Sequence, residues 1–173
     1  MGYIILLGIA LLQLVLSGII AYENKRSKQK QGQIILVISS LVLFAFNIST
    51  TILLDDSNIN KSNMWIYDLA NRGGFLFGML SIYLAYLFTF YYPKPLPKGR
   101  IHRIVIPTGA IYCLLVPLTR ISGSYVVSAE KIEYVGGSLV VTTAVVGLIW
   151  SIFAVRNILR SIKSTADERL KSQ

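Results

Sequence analysis

Charge is the first thing this sequence has little of. Asp, Glu, Lys and Arg make up 14% of its 173 residues, where a soluble domain of that size carries about 25% to coat its surface. Cysteine is nearly absent too: Cys113 stands alone in an apolar run. That excludes an intrachain disulfide and any metal site built from cysteines, and Cys113 is expected simply to be buried. There is a single histidine, His102. The long apolar runs hold only Gln13, Asn47, Ser49, Thr50, Thr51, Thr142 and Thr143 as notable polar residues, none of them ionisable. Proton and ion pathways are built from intramembrane acids, histidines or arginines, so a proton-coupled pump is disfavoured. With no His–Asp pair, no paired carboxylates and no metal cluster in the runs, an enzyme is the least supported class. No metal and no cofactor are expected.

What the sequence has instead is apolar length. The apolar share is 54% and the mean hydropathy is +0.60. Uncharged runs cover residues 3–22, 33–54, 73–92, 104–119 and 134–155. A helix needs about 20 apolar residues to cross the hydrocarbon core, and only the run at 104–119, with Pro107 and Pro117, falls short. That run reads either as a re-entrant segment or as a full span, because prolines are tolerated where neighbours satisfy the freed carbonyls. The resulting expectation is an all-α integral membrane protein. Its bundle of five transmembrane helices, at about 3–22, 33–54, 70–92, 104–119 and 135–156, fills residues 1–158, and a basic cytoplasmic helical tail follows at 159–173. No lysine or arginine precedes the first run, which argues for an uncleaved helix rather than a signal peptide. Leu6 stands where a myristoylation signal needs Ser or Thr.

The net charge of +9 is distributed by side. Lys25, Arg26, Lys28 and Lys30 follow the first run; Lys94, Lys98, Arg100 and Arg103 follow the third; Arg156, Arg160, Lys163, Arg169 and Lys171 follow the fifth. These hold 13 of the 17 basic residues, while the other two connections carry Lys61, Arg72, Arg120 and Lys131 against Asp55, Asp56, Asp68, Glu130 and Glu133. Basic residues of short loops stay in the cytoplasm. The expected placement is a multi-pass plasma-membrane protein with its amino terminus outside and its carboxyl terminus inside. Side selection accounts for the basicity without nucleic acid. Between the third and fourth runs, Phe90, Tyr91 and Tyr92 read as an aromatic girdle, Pro93, Pro95 and Pro97 as a helix stop, and the basic residues as headgroup contacts. A recognition peptide for a cytoplasmic partner is the other reading of this loop. His102 reads as an interfacial side chain or as a titrating sensor.

Close backbone approach, not apolar burial, drives helix association in lipid. Gly74, Gly78, Ser81 and Ala85 form one narrow stripe; Gly137, Val140, Ala144, Gly147, Ser151 and Ala154 form another. The two are expected to make tight contacts, with each other or between protomers, so a homodimer or a membrane partner protein fits. Small residues are also simply common in membrane helices. In MWIYDLANRGG (64–74), Asp68 and Arg72 share a helix face and are expected to pair. The set Trp65, Asp68, Asn71, Arg72, Asn47 and Arg120 reads either as aromatic-anchored helix-end chemistry or as the polar floor of an outward-facing pocket for an unidentified small ligand. Residues 125–127 and 132–135 favour strands and suggest an outer hairpin, with an interfacial helical turn as the alternative. The tail, with Ile158, Leu159, Ile162, Ala166 and Leu170 among basic residues, reads as an amphipathic segment on the inner leaflet or as a linker helix.

The order of these elements resembles the amino-terminal membrane sensory region of seven-span bacterial histidine kinases. A basic first inner loop leads to WIYDLANRGG, then the exit LFTFYYPK, an outer hairpin-like loop running into YVGGSLVVTT, and the basic tail RNILRSIKSTADERLKSQ. The similarity is one of pattern over nearly the whole chain. The family continues with two further spans and a kinase or cyclase module, whereas the residues here hold neither a phosphoacceptor-histidine helix nor an ATP-binding motif. The resemblance therefore implies an input module that binds a signal outside or within the membrane and moves helices, without kinase activity. A small-solute transport subunit and a structural membrane partner are the competing classes. The charge pattern makes one expectation measurable: a reporter fused after Gln173 is active as green fluorescent protein and inactive as alkaline phosphatase, and the opposite pair of signals overturns the orientation.

Overall fold

A computed structural model describes residues 8, 11, 12, 15, 19, 22, 30–54, 59–91, 99–128 and 131–171. Most of the first run, with Gln13, therefore lies outside the described residues. So do Lys25, Arg26, Lys28, Asp55, Asp56, Tyr92, the three prolines between Pro93 and Pro97, Lys94, Lys98 and Glu130.

The described chain is mostly helical. In order it forms α1 (Lys30–Leu53), α2 (Met64–Phe88), α3 (Arg100–Leu115), the single turn α4 (Thr119–Ser122), strands β1 (Ser124–Ser128) and β2 (Lys131–Val135), and α5 (Val141–Lys171). Two stretches, Gln31–Leu53 and Val141–Ser164, are long and apolar enough to cross a membrane. The hydroxyls of α1 do not interrupt it, because they donate back one turn: Ser39 to Ile35 at 2.8 Å, Ser40 to Leu36 at 3.0 Å, Thr50 to Phe46 at 3.0 Å and Thr51 to Asn47 at 2.8 Å. Ahead of α2, the Asn60 side chain accepts from the amides of Ser62 and Asn63 at 3.0 and 3.1 Å, which sets the turn that starts the helix.

Helix α2 is the centre of the fold. It packs along α1, α3 and α5, while α1 makes no comparable contact with α5. Helices α1 and α2 run antiparallel: Gly32 meets Tyr91 at one end, and Gly74 meets Ser49 and Leu53 at the other. The core joins α2, α3 and α5 through Met79, Tyr83, Tyr86, Phe90, Cys113, Val116, Ile121 and Trp150. Tyr83 packs its ring 5.1 Å from Trp150 and donates its hydroxyl to the Ile106 carbonyl at 2.7 Å, beside the Pro107 interruption of α3. Gly109 makes room for both rings.

Several expected boundaries move. The third apolar segment begins as a helix at Met64, not at 70, because the Asn60 turn nucleates it earlier. It closes at Phe88, and Phe90 does not join an aromatic girdle: it is 2% exposed and stacks edge-on against Tyr86 and His102. Helix α3 starts at Arg100 and ends at Leu115, with Val116 to Leu118 turning into α4. Its 16 residues extend about 24 Å, short of the roughly 30 Å of a hydrocarbon core. The fifth helix begins at Val141, not at 135, because residues 131–135 pair with β1. That pairing is the expected hairpin, antiparallel from Ser124↔Val135 to Ser128↔Lys131. Gly123 enters it at φ 78°, where a Cβ would strike the Val135 carbonyl and, at 2.8 Å, the Tyr134 hydroxyl. Helix α5 is unbroken through the basic segment and takes the start of the expected tail into the same rod.

A Cβ at Gly109 would lie 2.7 Å from the Tyr83 ring and 3.1 Å from Trp150, and neither buried ring has space to retreat. Gly109→Ala is expected to cost about 1–3 kcal/mol. Thermal unfolding in detergent checks this, with Gly136→Ala, which meets nothing, as the control.

Candidate functional site

The polar residues singled out in the sequence separate into three places. Asp68 and Arg72 pair at 2.7 Å in the amino-terminal turns of α2, and their remaining Oδ1 and Nε atoms are buried without a hydrogen-bond partner among the described residues. Trp65 is 64% exposed and turns away from the bundle. Arg120 is exposed, and its backbone is what matters locally: its carbonyl accepts from the Leu139 amide at 2.7 Å and lies against Gly137. Asn47 is half-buried on α1, with its carbonyl taking the Thr51 hydroxyl.

Asn71 alone reaches a cavity. It is buried and donates from Nδ2 to the Ser122 carbonyl at 2.9 Å. The same carbonyl accepts the Tyr134 hydroxyl at 2.6 Å. One oxygen thereby ties α2, α4 and β2 together, and Tyr67 against Tyr125, with ring centroids 6.3 Å apart, adds an aromatic contact between α2 and the hairpin.

Beneath this junction lies a cleft of about 450 Å³, walled by Phe46, Thr50 and Leu53 of α1, by Asn71, Phe75 and Ile82 of α2, and by Thr143 of α5. That volume falls in the range of small-molecule sites. Gly74, Gly78 and Ser81 of the first stripe line it. The stripe does not face the stripe of α5: Gly78 approaches Phe46 of α1, and Gly147 approaches Ile82 and Met79 of α2. Ala85 is exposed, as are Ala144 and Ser151. The cleft hydroxyls are already committed, since Thr50, Ser81 and Thr143 donate to Phe46, Gly78 and Val140 carbonyls. Polar recognition therefore falls to the Asn71 carboxamide and to hydroxyl lone pairs. Chemically the cleft suits a mainly apolar molecule with one hydrogen-bonding end. Trp65, Asp68, Arg72, Asn47 and Arg120 are not part of its wall.

The sequence reading missed a second polar centre, at the opposite end of α2. His102 is 5% exposed, places Nδ1 2.6 Å from the Tyr86 hydroxyl, and is ringed by Phe90 and Phe153. Beside it, Asn157 donates to the Thr89 hydroxyl at 3.0 Å, and Thr89 donates to the Tyr86 carbonyl at 2.7 Å. Ser161 is fully buried on the same face of α5. The signal was the spacing of Trp150, Phe153, Asn157 and Ser161 at three and four residues, one continuous helix face. The expected apolar stripe of the tail is turned the other way, with Leu159 and Ile162 exposed. Among the described residues, no three His, Cys, Asp or Glu side chains gather as a metal would require.

His102 sits on the first turn of α3, ahead of the apolar run. Burial, and then the charges of Arg156 and Arg160, hold its pKa below the ordinary imidazole value of 6.5. The fold therefore favours the neutral ring. Stability is complete above about pH 6.5 and is lost as the pH falls from there toward the lower folded pKa, because only the unfolded chain takes up the proton readily. Thermal midpoints in detergent between pH 7.5 and 5 are expected to fall across that window, and His102→Gln is expected to flatten the slope. Comparison with known protein families, with curated proteins and with solved structures gives no match to this chain.

Proposed function

We propose that this chain is a multi-pass plasma-membrane input module, receptor-like in action, in which an apolar ligand in the cleft between α1, α2 and α5 biases helix packing. The supporting observation is an inside-out distribution of side chains. Asn157, Ser122 and Ser161 are at most 2% exposed, while Leu114 is 77% and Val141 68% exposed. The two stretches long and apolar enough to cross a membrane bury only 11% and 17% of their most apolar windows. A core helix of a water-soluble protein would be mostly buried, and a surface this apolar marks contact with lipid or protein. Polar groups turned inward and bonded to each other across helices are what a lipid solvent demands.

In this reading five segments cross: the first apolar run, α1, α2, α3 from Ile104 onward completed by its turn and α4, and the apolar part of α5 before Arg156. The amino terminus lies outside, and the Asn71–Ser122 junction with its hairpin faces out. The His102 centre and the basic segments face the cytoplasm. The element order similar to that of histidine-kinase sensory regions supports an input role. The geometry adds a way to perform it. Helix α1 is held to the bundle through α2 and faces α5 across the cleft, so an occupant touching both walls has different affinities for different α1–α5 spacings, which is the thermodynamic requirement for a switch.

The test uses the full chain in phosphatidylcholine liposomes and a photoreactive long-chain alcohol as probe. Labelling is expected to concentrate on Phe46, Phe75 and Ile82, and Leu53→Trp, which fills the cleft, is expected to remove it while the chain stays folded. Labelling spread evenly over the outward Leu114, Leu148 and Ile152 would overturn the cleft. Entry of a labelled solute into the liposomes would turn the assignment toward a transport subunit.

A further inference from the structure

The cytoplasm-facing stretch of α5 carries a feature that the cleft does not use. Arg156, Arg160 and Lys163 stand at i, i+4 and i+7 on one helix face. Ile152, Val155 and Leu159 interleave with them, and the six side chains enclose a groove of about 410 Å³ open to the surroundings. All six are exposed. None of the three cations has a carboxylate partner among the described residues, where the ion pair is Arg72 with Asp68. The groove is thus divided along the helix axis, apolar toward Ile152 and cationic toward Lys163.

We infer that Arg156, Arg160 and Lys163 form a binding site for the phosphate headgroup of an anionic phospholipid, whose acyl chain lies along Ile152, Val155 and Leu159. The inference rests on the placement of the amino-terminal half of α5 in lipid. Three arguments select this occupant. Two guanidinium groups and an ammonium, with no opposing acid among the described side chains, complement a phosphate diester, and the guanidinium fork pairs two oxygens at once. Ile152 and Val155 lie on the side of the cations that leads back into the apolar run, which is where acyl carbons must go, with Leu159 beside them. The cationic face is also held in place, because the neighbouring face is locked by Asn157 on Thr89 and by the buried Ser161. A helix face fixed before binding loses little freedom on capture.

The sole histidine supplies a local reporter. Tyr86 from α2 and Arg156 and Arg160 from α5 are the titratable and charged groups acting on the His102 ring, with Phe90 and Phe153 completing its surroundings. An anion seated on the two arginines cancels part of their field and lets the ring take up its proton at higher pH.

The experiment uses the full chain in neutral detergent and titrates phosphatidylglycerol, phosphatidylcholine or inorganic phosphate. Binding is followed by native mass spectrometry and by the His102 ring resonances over a pH series. The expected result is a stoichiometric phosphatidylglycerol adduct, with an upward move of the His102 midpoint that phosphatidylcholine and inorganic phosphate do not produce. The triple variant R156Q/R160Q/K163Q is expected to bind roughly a hundredfold more weakly, the product of about fivefold per basic residue. It should keep its helical content and thermal midpoint in phosphatidylcholine. Equal retention of phosphatidylglycerol and phosphatidylcholine by the unaltered chain overturns the site, even if the variant fails to fold. So does an unchanged affinity in a folded variant. An equal response to inorganic phosphate assigns the cations to a soluble anion and overturns the lipid. A chain monodisperse without detergent would instead sink the membrane placement, which is a separate failure.

Discussion

A polar group with no water beside it has to be answered from within the chain, and the Ser122 carbonyl shows how this fold meets that demand. Two donors reach the one oxygen, Asn71 from a helix 51 positions earlier and Tyr134 from the hairpin. An unpaired buried acceptor costs about 1–3 kcal/mol, and here one acceptor organises three elements instead. The second centre repeats the device with Thr89, which gives its proton to Tyr86 and accepts one from Asn157. In the membrane placement proposed above, apolar attraction between helices contributes little, and these bonds and the glycine-sized approaches of α2 carry the specificity.

The two centres sit at opposite ends of α2 and differ in chemistry. The Ser122 centre is neutral, apart from the Asp68–Arg72 pair close by, and closes over an apolar cleft. The His102 centre surrounds an imidazole and lies beside cations. Helix α5 contributes to both regions, with Thr143 at the cleft and Asn157 at the histidine. Helix α1 reaches the bundle through α2, and in the proposed function its distance from α5 is the coordinate that a cleft occupant sets.

Much of this was legible in the residues. Four-residue spacing announced the Asp68–Arg72 pair, and the β-branched and aromatic residues of 125–127 and 132–135 announced the hairpin. Glycines on α2 announced a close approach, though not its partner. That limit has a physical cause. A water-soluble helix marks its buried face with apolar residues, but most of α1 and the part of α2 after Arg72 carry apolar residues on all sides, so periodicity cannot tell neighbour from solvent. The tail has a second side that the apolar pattern does not announce. Ile158, Leu159 and Ile162, read as the apolar side of an inner-leaflet segment or of a linker helix, are exposed, and the packed side is Asn157 and Ser161. Pairings such as Asn71 with Ser122 are set by topology and leave no trace in local spacing. Asn47, Trp65 and Arg120 share composition with Asn71 but not its place on the wall.

Helix α5 has neither glycine nor proline after Gly147, over residues that continue to Lys171. Helices bend sharply where such residues, or an inserted group, break the hydrogen-bond ladder, and nothing of that kind interrupts this one. It therefore behaves as a stiff lever roughly 46 Å long at 1.5 Å per residue. A tilt of a few degrees introduced near Thr143 arrives at the far end as a lateral sweep of several ångströms, with the Trp150 packing as its fulcrum.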